Sequence, residues 1–138
     1  MNHIVGVDHP GAACLDGKIY LVGGLVRAGA AVNKVFMYDP ATNTWTQKAD
    51  LPQPRGAQGV AVYGGKIYAV GGLGYPDKND LYVYDPAGNT WATKAPMPTA
   101  RDHLIFKVIG SKLYAIGGRT AVTIQSATVV TGVAAPKL

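Results

Sequence analysis

The heptapeptide KIYLVGG at residues 18–24 returns as KIYAVGG at 66–72 and as KLYAIGG at 112–118, at spacings of 48 and then 46 residues. Two further blocks keep the period. YDP at 38–40 with NTW at 43–45 returns at 84–86 and 89–91, and LPQPR at 51–55 returns as MPTAR at 97–101. A fixed period of this length marks a chain built from one supersecondary unit copied in series. The two extra residues of the first spacing fall between Gly24 and Tyr38, where an insertion is accommodated as a loop.

Within one period the pattern reads as four short strands divided by turn signals. In the second copy, strand a runs from about Gln58 to Tyr63, and Gly64-Gly65 turns it into strand b at Lys66 to Gly71. Strand c follows at Asp80 to Tyr84, the segment DPAGN turns the chain, and strand d occupies Thr90 to Lys94. Strand b is apolar on both faces, as a strand buried between neighbours is. A small four-stranded sheet repeated every 45 to 50 residues is the sequence signature of a propeller blade.

The paired glycines after an Ile-Tyr-x-Val strand, then Tyr-Asp-Pro, a Trp seven residues on, and Met-Pro-x-x-Arg resemble kelch repeats. The resemblance covers about residues 9–119. It implies an all-β fold, a kelch-type β-propeller of five to seven four-stranded antiparallel blades, most often six, of which this chain carries an open arc. Blade 1 is expected over 1–51, blade 2 over 52–97, and an incomplete blade 3 with a divergent tail over 98–138. After Arg119 the continuation TAVTIQSATVVTGVAAPKL has neither Tyr-Asp-Pro nor Trp, which leaves strands c and d of blade 3 open.

Composition agrees with a packed β-protein. Of 138 residues 48% are apolar and 15% charged, enough for a core and too few charges for a disordered chain. Gly 18 and Pro 9 supply turns rather than helices. The single Cys14 excludes an intrachain disulfide framework. No apolar run reaches the length of a membrane-spanning helix, and the amino end carries no visible signal peptide; a cytoplasmic location is expected if the chain is complete. The net charge of +5 favours anionic partners. It falls short of a nucleic-acid footprint, for which aromatic and basic residues would interleave, and no nucleic-acid or membrane partner is expected.

Several residues invite a chemical role. The glycine pairs lack the Lys-Ser or Lys-Thr and the helix that a phosphate loop requires, so they read as relief of crowding at the end of strand b. Trp45 and Trp91 read as packing between adjacent blades, Asp39 and Asp85 as turn formers ahead of proline, and Cys14 as a small core residue. His9 and His103 share one register, with Ala57 at that register in the copy between them, and lack a third ligand for a metal. Neither metal nor cofactor is expected. The resemblance extends to copper-dependent galactose oxidases and sialic acid mutarotases, but the sequence reproduces no complete catalytic set.

Connectivity sorts the loops. In an antiparallel blade the a–b and c–d turns lie at one end, and the b–c and d–a loops at the other. All four arginines belong to the second class: Arg27 and Arg119 after strand b, Arg55 and Arg101 before strand a. His9, His103, Tyr75 and Lys78 join them, whereas Lys18, Lys66 and Lys112 begin strand b at the opposite end. Guanidinium groups suit carboxylate and phosphate partners, and in kelch proteins this face often binds peptides. The expected function is therefore a non-catalytic binding module that takes an acidic peptide or other anionic ligand on Arg27, Arg55, Tyr75, Arg101, His103 and Arg119. A second role stays open for Arg55 and Arg101, which belong to the repeat and serve blade structure. The alternative function is a kelch-type carbohydrate-active enzyme or its remnant. Three blades leave two apolar flanks, so the chain is expected to be a fragment of a longer propeller, or else to self-associate and complete a ring.

Overall fold

A computed structural model of the chain describes residues 6–74, 76–119 and 128–130, the last three by backbone alone. It is all-β, three antiparallel sheets in series. Strands β1 (Gly11–Leu15), β2 (Lys18–Leu25), β3 (Ala31–Asp39) and β4 (Thr44–Gln47) form the first sheet in that order. Strands β5 (Gly59–Tyr63), β6 (Lys66–Val70), β7 (Leu81–Asp85) and β8 (Thr90–Lys94) repeat it. The third sheet has β9 (Asp102–Ile109), β10 (Lys112–Arg119) and β11 (Thr128–Val130) in the order β11-β10-β9. Each sheet is one blade, and the three form an open arc of two full blades and a shorter third.

The hairpins follow from their turn residues. Asp16-Gly17 and Gly64-Gly65 both sit at positive φ, 50° and 71°, 57° and 70°, the geometry of a two-residue hairpin turn whose twist matches the strands. At the c–d turns the Asp39 and Asp85 carboxylates each accept a hydrogen bond from the backbone N–H two residues on, Ala41 and Ala87, at 3.0 Å. Each also pairs with the lysine that opens strand b, Lys18 or Lys66. Those lysine bonds, with the turn N–H next, hold both carboxyls below the usual carboxylate range.

The third sheet resolves the segment whose sequence left strand c open. Val129 pairs with Tyr114, and Val130 with Leu113, the places that Val83 and Tyr84 take beside Tyr68 and Ile67 in the second sheet. Strand c is thus present as β11. No counterpart of β4 or β8 follows it among the described residues.

The inner strands β1, β5 and β9 lie side by side and the blades pack face to face. Each blade has a leading face toward the preceding blade and a trailing face toward the next. Ala13, Leu15, Tyr20, Val22 and Val35 on the trailing face of blade 1 form one core with Ile67, Ala69, Tyr82 and Tyr84 on the leading face of blade 2. Tyr68, Val70, Leu81 and Val83 of blade 2 do the same with Phe106, Leu113 and Ala115 of blade 3. Each fully buried large side chain contributes about 1.5–3 kcal/mol. The arc is thus held by two copies of one interface.

Trp91 lies in that interface, as the sequence leads one to expect, and its indole N–H donates to Ala49 O of the preceding blade at 2.9 Å. Trp45 does not: its side of blade 1 meets no other blade among the described residues, and it packs on Tyr38 with ring centres 4.9 Å apart. Cys14 is also corrected, being exposed rather than in the core. Along β1 alternate residues face opposite ways, and Ala13 and Leu15 take the buried side.

Candidate functional site

The b–c and d–a loops meet at one end of the arc, and backbone geometry fixes how closely. Gly24 N–H donates to Arg55 O and Gly72 N–H to Arg101 O, both at 2.9 Å. The d–a loop therefore lies directly on the glycine pair of the blade before it. A Cβ at Gly71, where φ is +66°, would stand 2.5 Å from Arg101 O, so only glycine fits. At the inner rim His9, Ala57 and His103 all take φ of 50–53°. Ala57 N–H donates to His9 O, and His103 N–H to Ala57 O, each at 2.8 Å. This stitching of three blades, with a methyl group at the middle position, brings the imidazoles of His9 and His103 to 5.1 Å between ring centres.

The arginines of the repeat lie inside the frame. Arg55 is fully buried. Its Nη1 donates to Gly71 O at 3.1 Å and to Asp80 O at 3.4 Å, its Nη2 to Asp80 Oδ2 at 3.3 Å. Its guanidinium carbon stands 4.4 Å from the centre of the Tyr82 ring. Burial pulls its pKa below that of a free guanidinium, opposed by Tyr82 and Asp80; it stays charged. Arg101 is buried too and donates to Gly117 O at 3.1 Å. Both side chains fold onto the sheet of their own blade, Arg55 on Gly71, Asp80 and Tyr82 and Arg101 on Gly117, so the second role left open for them, blade structure, is the one this geometry carries.

The register shows what replaces this arginine in blade 1. Val7 stands where Arg55 and Arg101 stand, Lys34 where Asp80 stands, and Phe36 where Tyr82 stands. The ion pair is gone, and Lys34 pairs with Asp50 at 2.6 Å instead. A cavity of about 420 Å³ opens there, lined by Val7, Leu21, Gly23, Lys34 and Phe36 among others.

Blade 3 departs differently. Asp102 and Arg119 take the paired registers of Asp8 and Leu25 in blade 1 and of Gly56 and Leu73 in blade 2. The buried Asp102 carboxylate accepts from Arg119 Nε at 2.7 Å, and His103 Nδ1 lies 2.7 Å from the same oxygen. Asp77, from the b–c loop of blade 2, faces this group. Burial first, and then the Asp102 carboxylate, push its pKa up; Arg119 and His103 oppose that shift. Asp77, Asp102, His103, Arg119 and His9 thus gather from three blades at the inner end of the loop face. Among the described residues no three His, Cys, Asp or Glu side chains are placed to hold a metal ion.

Of the six sequence candidates, His103 and Arg119 come together, Arg27 is exposed in the β2–β3 loop, Arg55 and Arg101 lie buried beneath, and Tyr75 lies outside the described residues. Sequence reading missed Asp77 and Asp102. The signal for Asp102 was present: a charge follows the repeat arginine where blade 2 has Gly56, matched by Arg119 where the other copies have leucine. Asp77 lies in a loop without a repeat counterpart of that chemistry, and only the packing reveals it.

Residues 5–118 match the model of the KLHDC2/KLHL20/DRC7 Kelch-repeats domain. Kelch-like protein 35 of Mus musculus is 43% identical over 61 residues, covering 44% of this chain and 10% of that protein. N-acetylneuraminate epimerase of Pasteurella multocida (strain Pm70) is 40% identical over 81 residues, covering 54% of this chain and 21% of that protein. The chain thus spans a small part of the curated relatives it matches. Among solved structures, that titled "Structure of YjhT" superposes with a TM-score of 0.76 at 19% identity, over 94% of this chain and 53% of the other, a likeness of fold.

Proposed function

Because this chain belongs to the kelch-repeat family of β-propeller proteins, we propose that it is a protein-binding module whose loop face takes an acidic peptide or another anionic ligand. The observation that carries this reading is the convergence of His9, His103 and Arg119 from two different blades at the inner end of that face, with Arg27 exposed on a loop of the same face. Arg55 and Arg101 add two buried positive charges beneath it and set the loops rather than touch the ligand. The net charge of +5 supports attraction of an anionic partner.

A polyglutamate peptide carrying a fluorophore, titrated with the protein at low and high salt, tests it. Binding should weaken with salt and fall at least about tenfold in the double variant Arg27→Ala, Arg119→Ala, while Lys112→Ala at the opposite end leaves it unchanged. Equal loss in both variants would mean that general charge, not this face, attracts the peptide. A second reading, a carbohydrate-active enzyme or its remnant, is supported by the likeness to an N-acetylneuraminate epimerase segment and by the Asp102–His103 pair. Sugar mutarotation or epimerisation that disappears in His103→Ala would favour it over the first.

A further inference from the structure

We infer that two copies of this chain associate head to tail, the trailing face of blade 3 of each seating on the leading face of blade 1 of the other, to close a ring of six blades. The described residues leave these two faces bare. The large hydrophobic side chains that stand exposed are Ile19 on the leading face of blade 1, at 38%, and Ile105 and Ile109 on the trailing face of blade 3, at 57% and 61%. Their counterparts in the middle of the arc are covered: Ile67, at the register of Ile19, is fully buried in the first interface.

A bare blade face by itself would suit any further blade; side-chain size singles out a second copy. Along the inner strands the trailing register holds Gly11, Gly59 and Ile105, and the leading register holds Ala12, Val60 and Phe106. A Cβ at Gly11 would clash with Val60 Cγ2, and one at Gly59 would stand 2.5 Å from Phe106 Cβ. Each internal interface therefore sets a glycine against a large side chain. At the ends of the arc the sizes are exchanged, Ile105 on the trailing edge of blade 3 and Ala12 on the leading edge of blade 1. Packed as the internal interfaces are, Ile105 would fill the space left by Ala12 of the second copy, and volume-conserving exchange is the change that cores tolerate best. Further out, Tyr20 of blade 1 meets Tyr84 of blade 2 with ring centres 5.9 Å apart; by the same register Tyr114 would meet Tyr38 of the second copy.

Light scattering on the 138-residue chain over a dilution series tests the inference. A species of about twice 14.4 kDa is expected. Ile105→Asp, at an exposed position, should raise the dissociation constant at least about 30-fold with the far-ultraviolet spectrum unchanged. Ile105→Gly should weaken the dimer, and Ala12→Val added to it should recover it, because the pair restores the internal glycine-against-large arrangement. Lys107, at the trailing register of Ala13 and Ala61, places a charge on this edge, so Lys107→Ala should tighten the dimer. In a Cys14→Ser background, Ala12→Cys with Ile105→Cys should oxidise to a covalent dimer. A monomer at every concentration, growth past the dimer into open-ended chains, or a dimer indifferent to Ile105→Asp would each overturn the inference.

Discussion

Arg55 offers the sharpest test of how a loop is held to its blade. In Arg55→Ala, Gly71 O and Asp80 O lose their guanidinium donor, the cation leaves the face of Tyr82, and a cavity opens in a fully buried site. The bond to Gly71 O at 3.1 Å, made by a charged donor, is worth about 1.5–3 kcal/mol. The 3.4 Å approach to Asp80 O adds little. The stack on Tyr82 contributes about 1–2 kcal/mol in this desolvated setting. The pair with Asp80, whose side chain is 33% exposed, contributes under about 1 kcal/mol. Against these stands Arg55 Nε, buried without a partner, whose removal returns about 1–2 kcal/mol of desolvation. The net expectation is a loss of about 3 kcal/mol, read as a lower urea midpoint at unchanged slope. Arg55→Lys, which keeps the charge but not the planar fork, should lose about half of that. A loss below about 1 kcal/mol in Arg55→Ala would refute the assignment of this arginine to blade structure.

Other consequences are directly measurable. Gly71→Ala should cost more than about 2 kcal/mol, because its Cβ meets Arg101 O at a positive φ, whereas Gly65→Ala, also at positive φ but facing open space, should cost about 1; urea melts of the two variants compare them. Asp77 has its folded pKa raised above 3.8, so its ionised form weighs against the fold and stability from its protonation is present at low pH and lost as pH rises through the raised value. Asp77→Asn should therefore stabilise at pH 7, with the gain fading as pH falls and absent below the unfolded value, in melts taken at each pH. Val7→Arg alone should destabilise, since the new guanidinium meets Lys34. Adding Lys34→Asp and Phe36→Tyr should rebuild the cradle seen around Arg55, a recovery that thermal melts would register.

The period alone made the four-stranded blades legible, because hairpin turns, apolar strand b and the Tyr-Asp-Pro turn each recur with it. Strand c of blade 3 was not, since SATVV carries no turn signal of the repeat and is recognised only by its pairing to Leu113, Tyr114 and Ala115. Connectivity alone placed the arginines at one end. It could not tell the exposed Arg27 and Arg119 from the buried Arg55 and Arg101, because Arg55 folds back onto Gly71, Asp80 and Tyr82 and Arg101 onto Gly117, and spacing along the chain says nothing about which loop side chains the sheet takes in. Cys14 escapes sequence reading for a related reason: its apolar run GAACL suits a core, but the face it takes on β1 has no blade opposite among the described residues.

The division between repeated and unrepeated residues also separates frame from function. Gly23 and Gly71, Arg55 and Arg101, and Asp39 and Asp85 each have a sufficient cause in blade geometry: a carbonyl that leaves no room for a Cβ, a buried donor that ties the entering loop to the end of strand b, a turn closed by a carboxylate. A residue explained by the frame in every blade cannot distinguish this chain from another built on the same repeat. Its particular chemistry therefore lies where the blades differ. At the loop end those positions are Val7 with Lys34 in blade 1, Ala57 between two histidines, Asp77 in blade 2, and Asp102 with Arg119 in blade 3. The packed arginines make the loop face rigid enough that such substitutions can set a binding preference without moving the strands beneath them.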